Sequence, residues 1–125
     1  MKLLALVFLG AVLHGVPPSR VAASRIAPSR VAPARVQVVA KEFSFGLSRG
    51  SVKAGPAVIE LANFGQDPHD LRVQRKGARH IAGLGVVAPG KRAELSLRLP
   101  RGRYSLWCSV ANHRRLGMRA TLVVR

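Results

Sequence analysis

Short stretches in which apolar and polar residues alternate dominate the chain from residue 36 onward, and they constrain its fold more than any other feature. In the clearest of them, residues 94–99, leucine occupies every second position and a Pro-Arg-Gly turn follows. Successive side chains of a β-strand point to opposite faces, so this stretch predicts a strand with one buried and one solvated face. No stretch of about ten residues has helical periodicity, which favours an all-β fold.

Further apolar rows with the same period predict the other strands of the domain. The rows comprise Val36, Val38, Phe43 and Phe45; Ile59 and Leu61; Leu71 and Val73; Tyr104 and Leu106; and Ala120, Leu122 and Val124. About seven short strands separated by Gly and Pro within roughly 90 residues are typical of a two-sheet sandwich. We therefore predict an all-β, Greek-key sandwich over residues 36–125.

The N-terminal residues have the pattern of an export signal. Lys2 precedes an apolar run at 3–13, and the small residues Val21 and Ala23 have the spacing of a cleavage site. The run is shorter than the roughly 20 residues that cross a bilayer, so we expect no transmembrane anchor in the mature protein. We predict a signal peptide at residues 1–23 and export to the periplasm or the extracellular space, with an uncleaved leader or a basic start to a soluble protein as the alternatives.

A basic repeat of five residues separates this signal from the domain. From residue 18 to residue 37 the chain reads PSRVA, ASRIA, PSRVA and PARVQ. A period of five matches neither a helix nor a strand, and the recurring proline removes backbone donors. We predict a disordered linker at residues 24–35, with a polybasic contact to a membrane or another polyanion as the alternative.

The charge balance limits the classes of partner. The chain has 21 Lys and Arg residues against five Asp and Glu residues, a formal net charge of +16. This excess favours acidic or anionic partners, although an ordinary solvated surface explains it equally well. Nucleic-acid binding needs aromatic residues between the basic ones, and aromatics make up only 5% of the chain. Together with the predicted export, this argues against nucleic acid.

Cys108 is the only cysteine, so the chain has no internal disulfide. A lone thiol in an oxidising compartment is a liability unless it is buried or bound to a metal. Strand parity directs His69, Cys108 and Met118 to the core side of their predicted strands, and the hairpin from Cys108 to Met118 brings those two to one pole of the sandwich. His113 lies midway round that hairpin loop and closes the site from outside.

These side chains suit copper chemistry. A thiolate, two imidazoles and a thioether can hold one copper ion that alternates between Cu(I) and Cu(II). Structural zinc rarely recruits methionine and usually shows paired CxxC or HxxxH spacings, which this chain lacks. The predicted ligands of one copper ion per chain are His69, Cys108, His113 and Met118. We assign His80 to an exposed loop and His14 to the leader, so neither is a predicted ligand.

Residues 104–118, YSLWCSVANHRRLGM, resemble the C-terminal copper loop of the plastocyanin- and azurin-like cupredoxins, and residues 63–71 resemble their first-histidine segment. The resemblance covers residues 36–125 and implies a mononuclear type 1, or blue, copper site with Met118 as the axial ligand. It also implies that Asp70 and Ser109 hydrogen-bond and tie two ligand loops together. Many relatives have Asn or Ser at the position of Asp70, so we expect this carboxylate to lower the reduction potential.

We expect a one-electron carrier rather than an enzyme, because the four protein ligands leave no obvious position for a substrate. The resemblance implies that His113 passes electrons to a redox partner protein through an apolar patch. The candidate residues for this patch are Ala111, Leu116 and Gly117, with the stretch 82–85. The basic side chains of Arg114, Arg115 and Arg119 favour an acidic docking surface on the partner.

Two further expectations concern assembly and role. We expect the protein to be a monomer. The alternative function is periplasmic copper binding for delivery, storage or resistance, which would use the same ligands. The sequence has no further Met or His clusters of the kind that a copper-releasing protein would need.

Overall fold

The computed structural model describes residues 30–125, which form nine strands and one short helix. The elements are β1 (Ala34–Lys41), β2 (Ser44–Leu47), β3 (Ser51–Val52), β4 (Gly55–Asn63), β5 (His69–Arg75), β6 (Ile81–Val87), β7 (Arg92–Leu99), β8 (Gly102–Trp107), α1 (His113–Leu116) and β9 (Arg119–Val124). The predicted signal peptide and residues 24–29 of the predicted linker lie outside the described residues. Among residues 30–125, no helix has the length and apolarity needed to cross a membrane.

The strands form two sheets. One has four strands in the order β2-β1-β4-β7, and the other has five in the order β3-β9-β8-β5-β6. Both sheets are mixed, since β1 pairs parallel to β4 and β3 pairs parallel to β9, while the remaining pairs are antiparallel. The prediction of an all-β, two-sheet sandwich is confirmed.

The inner faces of the two sheets supply the core. Ile59, Leu61, Leu71, Leu106 and Leu122 have no solvent exposure, as their alternation predicts. Strand β7 differs, because it lies at the edge of the four-stranded sheet. Its alternating leucines at 95 and 97 are only half-buried, although they pack against the core. The clearest alternation in the sequence therefore belongs to an edge strand.

The first strand begins slightly before residue 36. Ala34 and Arg35, the last two residues of the predicted linker, pair with Ala57 and Val58 of β4. Parallel pairing with β4 accounts for this, because β4 already begins at Gly55 and offers pairing positions to both residues.

Strand direction gives the sandwich two distinct poles. Strands β1, β4, β6 and β8 end at one of them, where β5, β7 and β9 begin. We call this end the site pole. The turns β3–β4, β5–β6 and β7–β8 lie at the opposite end.

Candidate metal centre

Three of the predicted ligands are brought to the site pole by strand ends. His69 is the first residue of β5, Cys108 directly follows β8, and Met118 directly precedes β9. The backbone N–H of Cys108 donates to the carbonyl of Met118 at 3.1 Å, which extends the β8–β9 ladder to these two residues. All three side chains are fully buried. Strand parity therefore predicted their direction correctly.

The loop between β8 and β9 returns His113 to the same point. The Sγ atom of Cys108 lies 3.9 Å from Nδ1 of His69 and 3.8 Å from Nδ1 of His113. The two Nδ1 atoms are 3.2 Å apart. Three lone-pair donors that face one another so closely in a buried space repel unless a proton or a metal cation lies among them. The residues present thus fit a bound metal ion.

Met118 is the fourth predicted ligand. Its side chain is fully buried, and its backbone N–H donates to the carbonyl of His113 at 3.1 Å. Gly117 permits this approach, because its φ of 126° favours glycine and a Cβ there would lie 2.9 Å from the carbonyl oxygen of Phe43. The backbone of Met118 is thereby held against the loop that carries His113.

Glu42 determines which nitrogen of His69 faces the site. One carboxylate oxygen of Glu42 lies 2.9 Å from Nε2 of His69 and also accepts the backbone N–H groups of Gln66 and Asp67. The hydrogen bond from the Asp67 N–H contributes most to lowering the pKa of Glu42 to about 2. At neutral pH this carboxylate is ionised and can only accept, so Nε2 of His69 must donate. The lone pair of a neutral ring is then on Nδ1, next to Cys108.

His113 is enclosed more than the sequence suggests. Its ring packs against that of Phe43 with centroids 4.9 Å apart, and its Nε2 lies 3.8 Å from a carboxylate oxygen of Asp67. Only 9% of its side chain is exposed. His113 is still the ligand nearest to solvent, because Cys108 and His69 have no exposure.

The predicted tie between Asp70 and Ser109 is confirmed. The carboxylate of Asp70 accepts both the backbone N–H and the hydroxyl of Ser109. The guanidinium of Arg72 lies 3.5 Å from the same carboxylate and 3.3 Å from the Ser109 hydroxyl. The charge of Asp70 is therefore partly offset by Arg72. Burial raises the pKa of the Cys108 thiol, which hydrogen bonding only partly opposes.

Sequence reasoning missed Glu42, Phe43 and Arg72 at the site, and it gave no role to Asn63. The amide of Asn63 is buried and donates to the carbonyls of Asp67 and Val87, so it braces the loop before His69. One signal was available in the sequence. Acidic residues are rare in this chain, and three of its five contact the ligands or their neighbours.

The remaining histidines do not join the site. His80 is exposed beside the β5–β6 turn at the opposite pole, as predicted, and His14 lies outside the described residues. Among residues 30–125, His69, Cys108 and His113 form the one cluster of potential histidine, cysteine and carboxylate ligands, with all donor atoms within 4.8 Å of one another.

The predicted apolar patch is only partly where we expected it. Leu116 is 50% exposed at the site pole. Leu84, in the expected 82–85 stretch, is half-buried inside β6 and pairs with Leu71. Phe64 and Val86 are instead the other large apolar side chains exposed at this pole. Phe64 directly follows β4, and Val86 is the penultimate residue of β6, whose last residue, Val87, pairs with His69.

No protein-family model matches the chain, and no curated protein matches it either. Solved structures do match. Auracyanin from Roseiflexus castenholzii superposes with a TM-score of 0.62 at 14% identity, over 76% of this chain and 99% of that chain. Auracyanin A, a "blue" copper protein from Chloroflexus aurantiacus, gives 0.62 at 18% identity, over 75% and 100%. Rusticyanin from Thiobacillus ferrooxidans gives 0.53 at 18% identity, over 75% and 79%.

These similarities extend over the sandwich and nearly the whole length of the auracyanins. At such low identity they establish the fold, and the clustering of His69, Cys108 and His113 is an observation on this chain alone. The chain therefore has the cupredoxin fold.

Proposed function

We propose that this chain is an exported type 1 copper protein that carries single electrons between redox partners. The supporting observation is the convergence of the Cys108 thiol and the two histidine Nδ1 atoms in a fully buried space. The proposed ligands are His69, Cys108, His113 and Met118. The presence of copper in proteins of the same fold, such as auracyanin A, is consistent with this proposal.

The protein's contribution is to hold four donors rigidly and to exclude water from them. A copper ion bound there would take up and release one electron by changing between Cu(II) and Cu(I). Glu42 fixes the tautomer and ring orientation of His69, and Asp70 connects the loops that follow His69 and Cys108. Donors fixed by such supporting contacts move little between oxidation states, so an electron can be exchanged without rearrangement of the chain.

The partner would dock at the site pole, where His113 is the ligand nearest to solvent. The exposed apolar side chains of Phe64, Val86 and Leu116 supply contact area there. Arg115 and Arg119 are exposed nearby, and they favour an acidic docking surface on the partner. The rate of reduction by such a partner should fall as salt is added.

The visible spectrum tests the metal centre. The domain loaded with Cu(II) should show an intense blue charge-transfer band, which depends on the thiolate and disappears in Cys108→Ser. The matched control is His80→Ala, which removes an exposed histidine and should leave the band unchanged. A colourless copper complex of the parent protein would contradict the proposed centre.

Voltammetry tests the role. An electron carrier should give a reversible one-electron wave and retain its copper through repeated cycles. A protein that delivers copper should instead lose the ion to a chelator once the metal is reduced. Rapid loss of Cu(I) would therefore favour copper delivery over electron transfer.

A further inference from the structure

The end of the sandwich opposite the site pole has a cluster of basic side chains, which we call the basic pole. They come from the β3–β4, β5–β6 and β7–β8 turns, from the adjoining ends of β5 and β8, and from the residue after β9. All of them are exposed: Lys53, Arg75, Lys76, Arg79, Arg101, Arg103 and Arg125. This many cations at one end of so small a domain give that end a strong positive field.

No acidic side chain offsets this field. The chain has five acidic residues, and Glu42, Asp67 and Asp70 are at the site pole. The other two, Glu60 and Glu94, lie opposite each other in the middle of β4 and β7, where they pair with arginines of the same sheet. Within residues 30–125, every ion pair therefore lies away from the basic pole.

Aliphatic side chains lie between these cations. Val31, Ala54 and Pro56 line a shallow groove together with the cations Arg49, Lys53, Arg101 and Arg125. Val31 is 72% exposed, so it can contact a partner without any rearrangement of the core. The surface combines dispersed positive charge with apolar contacts.

We infer that the basic pole binds the surface of an anionic lipid membrane. Its cations come from separate turns at one end of the domain, so a broad, flat layer of anionic headgroups can meet all of them together. The aliphatic side chains then lie at the level where headgroups meet acyl chains. Nucleic acid is a poorer fit, because within residues 30–125 this pole has neither a helix to enter a groove nor an exposed aromatic side chain to stack on bases.

This binding mode would orient the domain. Strands of six to nine residues span about 20–30 Å, which would separate the site pole from the membrane by that distance. His113 and the exposed side chains around it would face away from the lipid, toward soluble partners. The inference goes beyond the proposed electron transfer and does not depend on bound metal.

Vesicle co-sedimentation of the full metal-free chain tests the inference. The vesicles are pure phosphatidylcholine or phosphatidylcholine with phosphatidylglycerol, at low and high salt. The test variant replaces Lys53, Lys76, Arg79 and Arg101 with Gln. The control variant replaces Lys41, Lys91, Arg115 and Arg119, four exposed cations at the site pole, with Gln. Both variants lose four positive charges. The parent and the two variants share residues 1–29, so a difference in binding between them cannot come from that segment.

Each basic side chain at an anionic surface adds about fivefold to affinity, so the test variant should bind anionic vesicles about 10²- to 10³-fold more weakly. The control should lose less than about fivefold, because its cations face away from the membrane. Circular dichroism and thermal melting should show that both variants remain folded. Three results would each overturn the inference: equal losses by the two variants, equal binding of the parent to neutral and anionic vesicles, or tighter binding to duplex DNA at the same salt.

Discussion

Replacement of Glu42 by Gln should raise the reduction potential of the proposed copper centre. The carboxylate of Glu42 accepts a hydrogen bond from Nε2 of His69 at 2.9 Å and is ionised at neutral pH. A ligand imidazole that donates to an anion is more basic and more electron-rich than one that donates to a neutral amide. It therefore stabilises Cu(II) more than Cu(I), and the Gln side chain keeps the hydrogen bond while removing the charge.

The size of the effect follows from the loss of one charge on one hydrogen bond. Hydrogen bonds to ionised acceptors are roughly twice as strong as neutral ones. The side chain of Glu42 is 27% exposed, so solvent screens part of this difference. We expect the preference of the site for Cu(II) over Cu(I) to weaken about three- to tenfold, which raises the potential by roughly 30–60 mV for a one-electron couple.

Cyclic voltammetry at pH 7 measures this shift, and Glu60→Gln is the matched control. Glu60 carries the same charge on the outer face of the four-stranded sheet, where it contacts Gln37 and Arg92. Glu60 lies three residues before the site-pole end of β4, which is about 10 Å along the strand. This distance from the site pole is about one Debye length, so salt screens the charge of Glu60 there. A potential that rises equally in both variants, or falls in Glu42→Gln, would refute the role assigned to this hydrogen bond.

Three other predictions address stability and charge. Leu61→Ala should destabilise the metal-free domain by about 2–5 kcal/mol in urea unfolding, because the side chain is fully buried, whereas exposed Ile81→Ala should cost far less. Folding lowers the pKa of Glu42 to about 2, so its ionised carboxylate stabilises the folded state fully above pH 4.5 and loses this effect as the pH falls toward about 2. The urea midpoint of Glu42→Gln should therefore vary less with pH over that range than the midpoint of the parent protein. By voltammetry, Asp70→Asn should raise the potential by less than Glu42→Gln does. Arg72 lies 3.5 Å from Asp70 and its side chain is 41% exposed, so we expect it to move into solvent once its partner is neutral and to take its positive charge away from the site. Arg72→Gln should lower the potential, and a rise would contradict this account.

The burial of the proposed ligands could be predicted because it depends on local information. Strand parity fixes the direction of His69, Cys108 and Met118, and a hairpin brings the last two together whatever the rest of the fold does. The residues that support the ligands depend on contacts between segments far apart in the sequence. Glu42 precedes His69 by 27 positions and reaches it only through the packing of β1 and β2 against the loop before β5. No periodicity in the sequence encodes such a contact.

The distribution of charge required the structure for a different reason. The sequence shows basic residues around His113, which by themselves favour an acidic docking surface on the partner. The fold brings Glu42, Asp67 and Asp70 to the same pole, where they offset part of this charge. The opposite pole has no acidic side chain among its exposed cations.

This asymmetry changes what the net charge of +16 implies for the proposed electron transfer. A partner that approaches His113 meets a pole of mixed charge, so its association should depend on salt less steeply than the net charge alone would require. The apolar side chains of Phe64, Val86 and Leu116 would then contribute more to that encounter. Most of the unpaired positive charge lies at the basic pole, where it would orient the domain at a membrane. The side chains of the site pole would then determine which redox partner binds.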